Sequence, residues 1–331
     1  MHLREHKRLI QNIIAAVCIV YIIIFFIKNK QQLQLAFNLR PLFIAALVIL
    51  LVLDLAVNGL CMKIVMEKCS NVRIPVGGWY KIFLLGRFLN TVIPQLGNLY
   101  RGVTLKQNHN ISYTHYISSL ASFAWMEISI NLIFALIIVL LTNRRLQIAG
   151  IDAWLFLSGL VTLVIAGPII ADAVIRLFKV QNKALVWSHS KLSHVFATAV
   201  ISLKDGTYIL SIVSATLLAF IITTTMFYVC FLSINVHISI TATVIFLAVL
   251  KVADVVVITP GNIGVREIIF GIVTEQIGLS MMEGILASTI LRVIGTVLVL
   301  VLGTSLGGVG ILQRRREYAA QMQQQAQGDS E

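Results

Sequence analysis

The chain alternates long apolar runs with short polar punctuation, and the run lengths set the first expectation. A helix needs about 20 apolar residues to cross the hydrocarbon of a bilayer. Runs over 9–27, 42–66, 115–142, 153–178, 208–232, 239–258 and 284–312 meet that length. Two shorter apolar stretches, 79–97 and 261–277, are interrupted by proline, glycine and charge, and read as half-helices or re-entrant segments. The predicted fold class is all-α: a polytopic integral membrane bundle of seven to eight transmembrane helices plus two broken segments. One break falls in each half, which points to an internal repeat.

The same pattern gives a single transmembrane domain over 1–312, with halves 1–178 and 207–312. Between them, Leu185, Leu192, Phe196, Ala199 and Leu203 recur at near-helical spacing among Lys183, Lys191 and Lys204. Residues 179–206 therefore read as an interfacial amphipathic helix. Residues 313–331, rich in Gln, read as a disordered cytoplasmic tail. The first apolar run has a basic start, but Lys28-Asn29-Lys30 follows it in place of a small-residue cleavage site. It reads as a retained helix and not as a signal peptide.

Composition agrees. Of 331 residues 58% are hydrophobic and 12% charged, where soluble domains carry about 25% charged residues. The net charge of +12 does not indicate nucleic acid, because Lys and Arg gather at the ends of apolar runs. There they orient the chain and meet anionic head groups. Arg4, Lys7 and Arg8 at one end and Arg314-Arg315-Arg316 at the other place both termini in the cytoplasm of a multi-pass cell-membrane protein. Lys63, Lys68, Arg73 and Lys81 fall on the same side, while Arg40 and Arg144-Arg145 fall on the other. Both termini inside requires an even number of crossings, so the segment 261–277 is expected to complete an eighth. Cys18, Cys61, Cys69 and Cys230 lack metal or redox spacing and read as packing residues. Neither His109 and His115 nor His189 and His194 has the i, i+4 spacing of a helical zinc site. No metal site and no cofactor are expected, and no stretch outside the membrane is long enough for a soluble catalytic domain.

Candidate chemistry lies at the two breaks, Ile93-Pro94-Gln95-Leu96-Gly97 through Arg101 and Thr259-Pro260-Gly261-Asn262-Ile263-Gly264 through Glu267. Interrupted helix at membrane depth survives only when buried in protein or lining a wet cavity. Pro94, Gly97, Pro260, Gly261 and Gly264 act there through the backbone. Arg101 and Arg266 sit close to the breaks, where guanidinium groups and free helix N–H groups suit a phosphate. Arg87 is a secondary candidate for the same role, or a residue of the head-group layer. Glu127 and Glu267 have no basic residue four positions on; each either meets a cation or proton, or forms an inter-helix salt bridge such as Glu267 to Arg292. Lys251 and Asp254, three apart on one helix face, form either a packing ion pair or part of the site. Gly303, Gly307 and Gly308 read as close helix packing.

These residues carry a resemblance. The chain resembles the lysylphosphatidylglycerol synthase transmembrane-region family, also called flippase-like membrane proteins, over about 10–312. It is sharpest at Pro94-x-x-Gly97-x-x-x-Arg101, at Glu127, at Pro260-Gly261-x-x-Gly264-x-x-Glu267, and from Ala287 to Arg292. Family members often carry Glu where this chain has Asn98, and Arg and Asp after the position of Glu127, where it has Ile128 and Asn131. The resemblance implies a membrane domain that translocates a modified lipid, without the soluble aminoacyltransferase that some relatives carry. The leading expectation is thus binding or translocation of an anionic, aminoacylated or glycosylated lipid, with membrane phospholipid as partner. The alternatives are the membrane part of a lipid-modifying transferase, and an anchor for a separate synthase. No residue is assigned a catalytic role.

Overall fold

A computed structural model describes residues 40–93, 95–142, 146–148, 150–177, 205–253, 264–307 and 310. The predicted span over 9–27, most of the interfacial segment 179–206, the tail, and Pro94, Asp254, Pro260 and Gly261 lie outside the described residues. The described residues form nine α-helices: α1 Pro41–Ser70, α2 Val76–Val92, α3 Leu96–His109, α4 Tyr113–Thr142, α5 Ala153–Leu177, α6 Gly206–Ser233, α7 Ile240–Ala253, α8 Val265–Gln276 and α9 Met281–Ser305. A two-residue hairpin, β1 Gln147–Ile148 and β2 Ile151–Asp152, precedes α5. Helices α1, α4, α6 and α9 are long and apolar enough to cross a membrane, and the all-α membrane bundle stands.

Contacts between helix ends show which face each end reaches. Ile74 in the α1–α2 turn and Ile111 in the α3–α4 turn pack in one cluster with Met66, Trp79, Leu105 and Tyr116. The α2–α3 pair therefore leaves one face and returns to it. Lys68 at the end of α1 bridges Asp205 before α6 at 2.7 Å, so α6 starts at that face too. We call it the basic face, after Lys68, Arg73, Lys81 and Lys106. At the opposite end, Thr142 of α4 and Thr241 of α7 share a hydrogen bond of 2.8 Å. Leu298, Val299 and Leu302 of α9 pack on the basic-face cluster, so α9 runs from the opposite face to the basic one. Helix α8 lies antiparallel against α9, with Gly271 on Met281 and Glu267 beside Arg292, and returns to the face from which α7 entered.

Where a full span over 239–258 was expected, α7 and α8 are thus two arms that start and end at the same face. For 261–277 the half-helix reading fits α8, and the expected eighth crossing does not. Both halves read long helix, half-helix, half-helix, long helix: α1–α4 and α6–α9. Their hairpins enter from opposite faces, the arrangement of an inverted repeat. The packing is reciprocal: α1 lies along α6, while α2 packs on α9 and α7 packs on α4.

Close contacts hold this frame. A Cβ on Gly97 would stand 1.7 Å from the Gly86 carbonyl oxygen, and one on Gly303 would stand 2.3 Å from the Phe88 ring. Of the late glycines, Gly303 is such a packing point, Gly307 has φ +86° and open space around it, and Gly308 is not described. Trp79 Nε1 donates to the Gly59 carbonyl at 2.7 Å and Tyr80 Oη to that of Ala56 at 2.5 Å, fastening α2 to α1.

Gly97→Ala is expected to destabilise the fold by about 1–3 kcal/mol, since backbone and not a movable side chain blocks the Cβ. Gly78→Ala, with nothing within 4 Å, should be near neutral. Thermal unfolding in detergent reads the difference, and equal midpoints for the two variants would contradict the packing. A second outcome concerns the basic-face tie. The hydrogen bond from Lys68, aided by the Tyr208 N–H, holds the Asp205 carboxyl below the usual range. A depressed carboxyl stabilises above its unfolded value, about 3.9, and that contribution disappears as pH falls through the folded value. The gap in unfolding midpoint between wild type and Asp205→Asn should therefore be constant near neutrality and close below about pH 4.

Candidate functional site

The first break is sealed from within. Gln95 takes a left-handed conformation, φ 67°, to start α3. The first turn of any helix leaves N–H groups without intrahelical partners; here the Gly97 N–H donates to Asn90 Oδ1 of α2 at 2.7 Å. Asn98 Nδ2 donates to Gln95 Oε1 at 2.9 Å. The amides of Asn90, Gln95 and Asn98 thus bind each other and the backbone. Arg101, 5% exposed, lies across Gly86. It donates from Nη2 to the Phe83 carbonyl at 3.1 Å and sits 5.1 Å from the Phe83 ring centroid. Its place is inside the α2–α3 hairpin.

The second half binds its carboxylates with side chains from neighbouring helices. Gly264, φ 84°, donates its N–H to Glu267 Oε2 at 2.7 Å. The other oxygen of Glu267 meets Arg292 Nε at 2.6 Å, and the Ser288 hydroxyl stands 3.5 Å away. Glu267 is 4% exposed and joins the start of α8 to the middle of α9. Glu127 of α4 forms an ion pair with Lys251 of α7. Both carboxylates therefore sit in inter-helix salt bridges, the arrangement foreseen for Glu267 with Arg292. Removing one partner of such a pair leaves a charge without compensation at depth.

Around these pairs lies a cavity of about 340 Å³. Its polar lining is Arg87 and Thr91 from α2, Asp54 and Asn58 from α1, Thr223 from α6, Lys251 from α7, Arg266 from α8, and Ser288, Arg292 and Thr296 from α9. Of the sequence candidates, the structure brings Arg87, Lys251, Arg266 and Arg292 together on its wall. Arg101, Glu127, Glu267, Gly97 and Gly264 do not line it. Arg266 stands 5.5 Å from the Phe270 ring centroid and Arg87 5.7 Å from that of Phe83, cation–π contacts that anchor each guanidinium on its own helix. Among the described residues no group of three His, Cys, Asp or Glu is placed to hold a metal.

Asp54, Asn58 and Thr223 are among the polar residues of the site that the sequence analysis did not select. Asp54 was visible as a carboxylate within the second run, with Asn58 one turn on; the Asn58 amide donates to the Asp54 carbonyl at 2.9 Å. Thr223 opens the run Thr223-Thr224-Thr225, and its hydroxyl lies 2.9 Å from Asp54 Oδ1. A polar pair on one face of an apolar helix was the available signal. What it lacked was the partner helix, 169 residues along the chain.

Comparison with known proteins gives one match. The family model for the lysylphosphatidylglycerol synthase TM region spans residues 13–303. No curated protein and no solved structure matches the chain. The matched span takes in both hairpins, both inter-helix ion pairs and the cavity between them. This chain belongs to the lysylphosphatidylglycerol synthase transmembrane-region family, membrane proteins of lipid modification or flipping.

Proposed function

We propose that this chain receives the head group of an anionic phospholipid in the cavity between its two hairpins and passes it across the membrane. The observation that carries the reading is a missing carboxylate. Arg87 is the twelfth residue of α2 and Lys251 the twelfth of α7, equivalent places in the two halves. Lys251 is neutralised by Glu127, the fifteenth residue of α4. The fifteenth residue of α9 is Gly295, which also lines the cavity. Arg87 has no carboxylate within salt-bridge distance among the described residues.

A cation at membrane depth without a counter-charge costs about 2.5–3.5 kcal/mol on insertion scales. A lipid phosphate beside Gly295 supplies the charge that Glu127 supplies in the other half. Arg87 can grip it with two parallel hydrogen bonds, and Arg266 reaches the same space. The volume suits a head group, with the acyl chains left in the surrounding bilayer. We place the basic face in the cytoplasm on the strength of its Lys and Arg.

The test is transfer of a labelled anionic phospholipid between leaflets of vesicles carrying the purified chain. Arg87→Gln is expected to slow transfer roughly tenfold to a hundredfold, the worth of one charge-assisted hydrogen bond at about 1.5–3 kcal/mol. Gly295→Glu is the sharper variant. The nearest atom to a Cβ there is Leu51 Cδ2 at 3.7 Å, so the new side chain has room and would neutralise Arg87 internally. It should leave the fold intact or more stable while abolishing transfer. Wild-type rates in both variants would remove the basis for the proposal.

A further inference from the structure

Asp54 stands apart from the other carboxylates at this depth. Glu127 and Glu267 are each bound to a cation and lie behind the cavity wall. Asp54 lies on the wall itself and has no salt bridge among the described residues. Its partner is the hydroxyl of Thr223 at 2.9 Å, and that hydroxyl also lies 2.8 Å from the Ala219 carbonyl oxygen. A threonine hydroxyl has one proton to donate and can also accept, whereas the carbonyl can only accept. The two contacts are therefore both satisfied in only one protonation state. With Asp54 protonated, its O–H donates to Thr223 Oγ1, and the Thr223 proton goes to Ala219. With Asp54 ionised, the Thr223 proton must turn to the carboxylate and leave the Ala219 carbonyl with its intrahelical bond alone.

The charges facing Asp54 decide which state holds. Arg87 comes from α2, Lys251 from α7, Arg266 from α8 and Arg292 from α9, all on the same cavity wall. Glu127 on α4 and Glu267 on α8 lie behind Lys251 and Arg292, and α6 presents the neutral Thr223. Lys251 and Arg292 are already neutralised by those two carboxylates. An incoming phosphate adds a negative charge to the same wall, which penalises a second anion there and favours the acid form of Asp54.

We propose that Asp54 is a proton-binding site linked to head-group occupancy, taking up one proton from water as an anionic head group enters and releasing it as the head group leaves. The proposal rests on the head-group reading of the cavity. It deepens that reading by giving the transporter a means of coupling to a proton gradient: carboxylate plus proton becomes carboxylic acid, with Thr223 as the relay that registers the change. Linkage is reciprocal, so if binding takes up a proton, acidification must tighten binding.

The experiment is titration calorimetry of the full chain in detergent with dihexanoylphosphatidylglycerol, whose phosphodiester stays anionic throughout. It is run at several pH values in two buffers of different ionisation enthalpy. The expected result is uptake approaching one proton per lipid, with affinity falling up to about tenfold per pH unit on the alkaline side. Asp54→Asn should bind with no proton uptake and no such pH slope. Thr223→Val, which keeps the carboxyl and removes the relay, should shift the slope along the pH axis; it also serves if the Asp54 variant does not fold. Wild-type binding without proton uptake, or uptake that persists in Asp54→Asn, overturns this inference and leaves the head-group site standing. No binding by wild type at any pH overturns the head-group reading, and this one with it.

Discussion

A helix end placed in hydrocarbon exposes N–H and C=O groups where no water competes for them, and the fold is organised around meeting that demand. At the first break the Asn90 side chain takes the Gly97 N–H; at the second, Glu267 takes that of Gly264. The two solutions differ in charge. The amide closes its break without consequence elsewhere, whereas the carboxylate must itself be neutralised. Arg292 does so from α9, and that reach defines one side of the cavity.

The positions seven residues after each break's proline show the same division. Arg101 stands there in the first half and Glu267 in the second, and both are almost fully buried. Each turns inward, Arg101 onto a backbone carbonyl and an aromatic ring, Glu267 onto the α8 start and Arg292. The residues left facing open space are those one helix earlier or one position aside, Arg87 and Arg266. Structure and proposed chemistry are thereby separated: the most buried charges hold the hairpins, and neighbouring cations line the void.

Much of this was legible along the chain. Long helices α1, α4, α6 and α9 follow directly from apolar runs near the length of a bilayer, and the two interrupted segments from proline and glycine within such runs. The half-helix over 261–277 was legible, but its pairing with α7 was not, because hydropathy reports solvent and not direction: 239–258 is apolar enough to read as a full span, and only the packing of α7 on α4 and of α8 on α9 shows that both reach one face. Among site residues, the Glu267–Arg292 pair was visible as one alternative. Arg101 carried a motif but packs within its hairpin, and Asp54 with Thr223 required knowing that α1 lies against α6. Long-range pairing has no local periodicity to announce it.

Helix α4 ends at one face and α6 begins at the other, so the second half lies upside down relative to the first. Were both at the same face, the later half would insert in the same sense as the earlier one. Both hairpins would then hang from one side, and the facing wall of Lys251, Arg266 and Arg292 could not assemble opposite Arg87. Biogenesis, then, rests on the sense in which the second half inserts: that orientation decides whether this membrane protein has an interior at all.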